Sequence, residues 1–207
     1  MKILFVRTDF FGPLKTGGSF SHISGFLDGL QELGHEVALT ASAETFEPNR
    51  YKFHHIPYPK LFNNFPEIPS IAYNRTLKNA LPPIIRTEKP TFIYQRHSEF
   101  IHATTTIARK AGLRLILEAN NSEWWWKRNW AKLFFDKLLR RSEEVQFQAA
   151  DAIMVVSDVL KNDLVRLFEL DPGKIHVNPN GVDIERFTNT IDAPKFFQTL
   201  PAALQSR

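Results

Sequence analysis

Residues 2–6 (KILFV), and after them residues 17–40 (GGSFSHISGFLDGLQELGHEVALT), decide the fold. KILFV is a short unbroken apolar run, the mark of a strand buried on both faces of a sheet. In the second stretch Phe20, Ile23, Phe26, Leu27, Leu30 and Leu33 recur at three- and four-residue spacing. That spacing predicts a helix over residues 19–33 with one apolar face. Gly34 ends it as a C-terminal cap, and residues 36–40 (EVALT) make the next strand. Strand, helix and strand in this order form a βαβ unit whose strands lie parallel and whose crossover is right-handed.

Beyond this unit the same alternation continues. Strands are predicted at residues 53–56, 91–95, 114–118, 152–157 and 175–178, and helices at 71–86, 98–110, 124–149 and 158–169. Pro82 and Pro83 are expected to break or kink the first of those helices. Residues 57–69 (PYPKLFNNFPEIP) read as a loop. The pattern predicts an α/β fold, a Rossmann-like doubly wound parallel sheet flanked by helices. It fades after Phe187, so residues 1–187 are expected to form the domain and residues 188–207 a linker or terminal helix.

Composition narrows the function classes. Hydrophobic residues at 43% and charged residues at 23% are the balance of a globular chain, not of a disordered or fibrous one. No apolar run approaches the roughly 18 residues that span a bilayer, and the opening MKILFVR breaks too early for a secretory leader. The absence of cysteine rules out a disulfide framework, a thiolate nucleophile and a zinc-thiolate site, and fits a reducing cytoplasm. The net charge of +4 favours anionic partners: nucleotides, phosphorylated sugars, nucleic acid or an acidic membrane face.

Residues 13–19 (PLKTGGS) join the first strand to the first helix. Gly17 and Gly18 let a ligand approach the backbone, and the helix N-terminus behind them suits a phosphate. A plain tight turn is the alternative. The loop is neither G-x-G-x-x-G nor G-x-x-x-x-G-K-[ST], which counts against NAD and against ATPase chemistry. His22 lies in the first turn of the helix, where contact with a ligand competes with packing. Arg96 and His97 follow a strand end, the edge where open α/β sheets bind ligands; a surface ion pair is their plainer reading. His54 and His55 are adjacent and so point to opposite faces. His97, Glu99 and His102 do not make H-E-x-x-H, and no metal site is expected.

GGSFSHISGFLDGLQELGHEVALT resembles the opening of the group 1 glycosyltransferases, glycosyltransferase family 4. Two later stretches, AADAIMVVSDVLKNDLVRLF (149–168) and KIHVNPNGVDIERF (174–187), are similar to that family's "AD-x-hydrophobic-VS" strand and "NGVD-x-x-F" segment. Between them, YQRHSEF and LILEANNSEW fit the places where members line the acceptor side. The resemblance runs in order over residues 1–187.

It implies a GT-B architecture, two Rossmann-like domains facing across a cleft, with this chain as the N-terminal, acceptor-side half. A C-terminal domain absent from the chain would hold the nucleotide sugar. The implied reaction is a retaining, metal-independent transfer from a nucleotide-diphospho sugar, the co-substrate, to an acceptor glycan or lipid-linked sugar, with no cofactor. Gly17 and Gly18 would meet the donor diphosphate; His22, Arg96, His97 and Asn120 would line the acceptor side. Glu118 and Asn120 are the catalytic candidates. Asn120 stands where many members carry a histidine, and an amide does not shuttle protons near neutral pH. The family's donor-binding Arg/Lys pair and paired glutamates would lie beyond Arg207, so the chain alone is expected to be inactive. The alternative is a non-catalytic glycan- or membrane-binding module.

Residues 124–141 (WWWKRNWAKLFFDKLLRR) hold four Trp and six Lys or Arg against one Asp. They read as an interfacial helix whose Trp124, Trp125, Trp126, Lys127, Arg128 and Trp130 touch an anionic membrane surface. The plainer reading packs the aromatics on the sheet. The chain is thus expected to be cytoplasmic, peripheral on the inner face of the membrane. No nucleic-acid partner is expected, because no RRM, KH or helix-turn-helix pattern accompanies the basic residues.

Overall fold

The computed structural model describes residues 1–8, 17–43, 50–59, 65 and 67–181. Its strands are β1 (Lys2–Arg7), β2 (Glu36–Ala41), β3 (Lys52–His55), β4 (Phe92–Arg96), β5 (Arg114–Ala119), β6 (Ala152–Val155) and β7 (Ile175–Val177). All pair in parallel, in the order β3-β2-β1-β4-β5-β6-β7. The helices are α1 (Gly18–Glu32), α2 (Glu67–Glu88), α3 (Ala103–Ala111), α4 (Glu123–Trp130), α5 (Asp136–Ala149) and α6 (Asp158–Phe168).

Alternation along the strands divides the core. Ile3, Phe5 and Tyr94 pack on one face with Ile23 and Leu27 of α1. Leu4, Val6, Ile93 and Leu115 pack on the other with Tyr73, Leu77 and Leu81 of α2 and Ile107 of α3. Farther along, Leu117, Ile153 and Val155 meet Leu139 and Phe147 of α5 and Leu164 and Phe168 of α6. The chain steps outward from β1 to β3, then returns to place β4 on the other side of β1. That reversal is the topological switch point where open sheets bind ligands. At this point Thr8 hydrogen-bonds Ser98 across the two strand ends and donates to the Arg96 carbonyl at 3.2 Å.

Three expectations need correcting. The helix α2 runs on through Pro82 and Pro83. Two backbone N–H donors are missing there, yet buried Tyr73, Leu77 and Leu81 hold the helix against the sheet. The third helix starts at Ala103 rather than near 98, because Asn74 Oδ1 accepts the N–H groups of His102 and Ala103 at 2.9 and 2.8 Å. The single helix expected over 124–149 is two. Between them the Glu67 carboxylate accepts the N–H groups of Phe134 and Phe135 at 3.0 and 2.9 Å, which satisfies backbone donors outside a helix. The segment 188–207, expected as a linker or terminal helix, lies outside the described residues, as do residues 13–16 of the glycine loop.

Candidate functional site

Register assembles the site. Arg7 of β1, Arg96 of β4 and Glu118 of β5 are paired neighbours at the carboxyl ends of their strands. They share the face covered by α1, since Phe5, Tyr94 and Ile116, two residues earlier on each strand, belong to its core. Period-two alternation then puts Tyr94 and Arg96 on one side of β4 and Gln95 on the other.

Glu118 is the hub. Its side chain is 5% exposed. Its Oε1 accepts from His22 Nε2 at 3.0 Å and from Asn120 Nδ2 at 3.4 Å, and its Oε2 accepts from Tyr94 OH at 3.1 Å. The Arg96 guanidinium stands 3.7 Å from Oε1. Burial works to raise the Glu118 pKa, but His22, Arg96 and Tyr94 prevail and hold it below the ordinary carboxylate value. Burial, reinforced by the Glu118 charge, pushes the Tyr94 phenol upward, so it stays a donor. With the carboxylate ionised, His22 carries a proton on Nε2.

The glycine loop adjoins this hub. Gly17 is the N-cap of α1 at φ 96°, a conformation that favours glycine, and as a glycine it has no side chain with which to cap the helix. The first N–H groups of α1 lie beyond the reach of the helix's own carbonyls. Around Gly18 a Cβ would meet nothing within 4 Å among the described residues. Arg96 Nη2 reaches across to Ser19 Oγ at 3.3 Å, while Arg96 Nη1 is buried with no hydrogen-bond partner among the described residues. A glycine-started helix N-terminus beside a guanidinium with a donor left over from hydrogen bonding is a place for an anion.

The remaining sequence candidates separate. Glu118, Asn120, His22 and Arg96 come together, with Gly17 and Gly18 linked through Ser19. His97 does not join them: its side chain is 1% exposed, stacked on Phe147 at 4.9 Å and turned toward Glu143 at 3.2 Å. It faces the opposite side of β4 from Arg96, which removes it from an acceptor-side role. Trp124 is likewise buried, its Nε1 donating to Asp136 at 2.9 Å, so it does not contact a membrane. Lys127 is held in an ion pair with Glu99. Sequence reasoning missed Tyr94, Ser19 and the strand-end Arg7. Their signal was Tyr94 two residues before Arg96 in FIYQR, which declares a shared face but not what lies opposite. Among the described residues no group of three or more His, Cys, Asp or Glu could hold a metal, and no helix is long and apolar enough to cross a membrane.

An open parallel α/β sheet with polar residues gathered at its switch point defines a Rossmann-like ligand-binding domain. The sequence pattern of Glycosyltransferase Family 4 matches residues 16–186, and the chain belongs to that family. Solved structures agree on the GT-B fold. The glycosyltransferase WaaG, involved in lipopolysaccharide biosynthesis, superposes with a TM-score of 0.65 at 10% identity, over 95% of this chain and 50% of that one. A sucrose-phosphate synthase from Thermosynechococcus elongatus gives 0.68 at 10% identity, covering 97% and 53%. Anabaena HepE, solved with UDP and glucose, gives 0.63 at 17% identity, covering 96% and 50%. The chain thus spans about half the length of these structures. No curated protein sequence matches it.

Proposed function

We propose that this chain is the acceptor-side half of a sugar transferase that draws on a nucleotide-diphospho sugar. The observation that carries the reading is the buried Arg96 guanidinium, whose Nη1 makes no hydrogen bond among the described residues, next to the glycine N-cap of α1, two anion-seeking groups joined through Ser19. They meet one end of a diphosphate, as the loop of Gly17 and Gly18 lets its oxygens approach the backbone. The hydroxyl-binding groups of the hub, Glu118, His22 and Asn120, then face the sugar and the acceptor glycan or lipid-linked sugar. Transfer with retention and without a metal is the expected course. Stabilising the departing diphosphate needs more positive charge than one guanidinium and one helix end supply, so a second domain completes the donor site. UDP and glucose in the HepE structure fit such a donor.

Binding of UDP to the chain tests this. In an amide NMR titration, UDP shifts the Gly17, Gly18 and Ser19 signals with a dissociation constant of about 1 mM, a weak interaction near −4 kcal/mol. Uridine leaves them in place, and Arg96→Gln removes the response. Equal shifts from uridine and UDP, or no dependence on Arg96, would overturn the diphosphate reading. Micromolar affinity would overturn the view that this half is incomplete.

A further inference from the structure

The stretch from α4 into α5 sorts its charges by side. Three of the acids at hand are used inward, while Glu144 pairs with exposed Arg141 at 2.7 Å. Glu143 accepts from Ser122 Oγ at 2.8 Å and from the Glu123 and Trp124 N–H groups at 2.7 and 3.2 Å. Asp136 takes the Trp124 indole, and Glu67 takes the backbone of Phe134 and Phe135. Its bases face outward: Arg128, Lys132, Lys137 and Arg140 are exposed. Lys132 lies over the Phe134 ring at 4.7 Å, and Arg128 and Arg140 flank the Trp124 ring at 5.3 and 5.0 Å.

The aromatic residues divide in the same way. Trp124 is 7% exposed, whereas Trp125 and Trp126 are each 44%, Trp130 70% and Phe134 42% exposed. Phe65, also 44% exposed, meets Phe134 edge-on at 5.7 Å. These rings do not protrude from a loose loop. Glu143, Asp136 and Glu67 anchor the backbone that carries them at four N–H groups and one indole. Among the described residues Lys132 and Lys137 have no acidic partner, and the exposed indoles beside them contribute little to the packing of the domain.

We propose that this shelf docks on an anionic lipid bilayer surface. Trp125, Trp126 and Trp130 enter the headgroup layer, and Lys132 and Lys137 meet lipid phosphates. Charge complementarity selects the occupant: the outward set is basic, Glu67, Asp136 and Glu143 are turned away from it, and Glu144 is matched by Arg141. The helix α4 begins three residues after Asn120, so docking also fixes the candidate site near the membrane plane. The proposal stands on α4 and α5 and is independent of the sugar-transfer reading.

The test is co-sedimentation of the chain with vesicles of phosphatidylglycerol and phosphatidylcholine, and with phosphatidylcholine alone, at low salt. Binding is expected to the acidic vesicles only, and added salt weakens it. Lys132→Gln with Lys137→Gln lowers affinity by more than tenfold, each near-surface cation being worth about fivefold. The Trp125→Ser, Trp126→Ser, Trp130→Ser variant loses binding while its circular dichroism melt stays that of the wild type. Should that variant fail to fold, Trp130→Ser alone and quenching by brominated lipid decide the matter. Brominated lipid is expected to quench the outward indoles and spare a wild-type component from Trp124. Failure to bind acidic vesicles overturns the proposal, as does equal binding to neutral ones or binding unchanged by the Trp variants. Trp-dependent self-association in sedimentation velocity, without vesicle binding, also overturns it and assigns the shelf to a second copy.

Discussion

Replacing Glu118 by alanine removes the common acceptor of His22, Asn120 and Tyr94 and the carboxylate beside Arg96, and the cost follows mainly from what Tyr94 and Arg96 are left with. The Tyr94 hydroxyl donates to Glu118 Oε2 in the interior at 3.1 Å, and its loss of a partner costs about 1–3 kcal/mol. The Arg96 side chain, 11% exposed, loses the carboxylate it pairs with among the described residues, and stripping one partner from a buried ion pair costs about 3–5 kcal/mol. The 3.7 Å separation and the Ser19 contact place Arg96 at the low end of that range. His22 is partly open to water and adds little. These effects overlap, so the expected loss is about 3–4 kcal/mol. For a chain of this size that lowers the melting temperature by about 6–16 °C. Glu118→Gln keeps an acceptor for Tyr94 but not the charge, and should lose about half as much. Urea melts of the two variants give both numbers, and repeating them against pH adds a sign. The Glu118 pKa is lowered in the fold, so its contribution is present above the unfolded value and disappears as pH falls through the folded one. Wild type should therefore lose stability on acidification faster than Glu118→Gln. An alanine variant within about 0.5 kcal/mol of wild type, the scatter of surface substitutions, refutes the hub.

Two further outcomes are expected. Glu88 is fully buried between Lys2, Lys52 and His54, at 2.9, 2.8 and 2.8 Å; although burial works to raise its pKa, these donors take it from 4.5 to about 2. Its stabilisation, about 1–3 kcal/mol once the exposure of Lys52 is discounted, is fully present above about pH 4.5 and fades toward pH 2; Glu88→Gln should flatten acid unfolding over that window, and an unchanged profile would count against the cluster. At the glycine loop, Gly17→Ala strains a positive-φ position and costs about 1–2 kcal/mol in thermal melts, whereas Gly18→Val leaves the melt nearly unchanged, since a Cβ there meets no described atom within 4 Å, and instead weakens UDP binding; the reverse order would make the loop a simple turn.

Much of the fold was legible because its signals are local. Three-and-four spacing from Phe20 to Leu33 defines a helix without reference to anything distant, and α1 occupies that stretch. The apolar runs of KILFV and EVALT became β1 and β2, paired in parallel as the βαβ rule requires. Two glycines between a strand and a helix marked the start of α1, and the motifs marked the family. Long-range partners decided the rest. His22 and Glu118 are 96 positions apart and meet only because β1, β4 and β5 are adjacent in the sheet. His97 and Arg96, neighbours in sequence and equal candidates at the end of β4, turn to opposite faces of the sheet. Glu67 splits the Trp-rich stretch from 67 positions away by accepting the Phe134 N–H, leaving Trp124 inside and Trp130 outside. Periodicity is a property of neighbours along the chain, so the sequence by itself determined the elements and their faces. Register, caps and charge pairing join groups that only the folded sheet brings within hydrogen-bond reach, so the tertiary structure alone decided which faces and carboxylates meet.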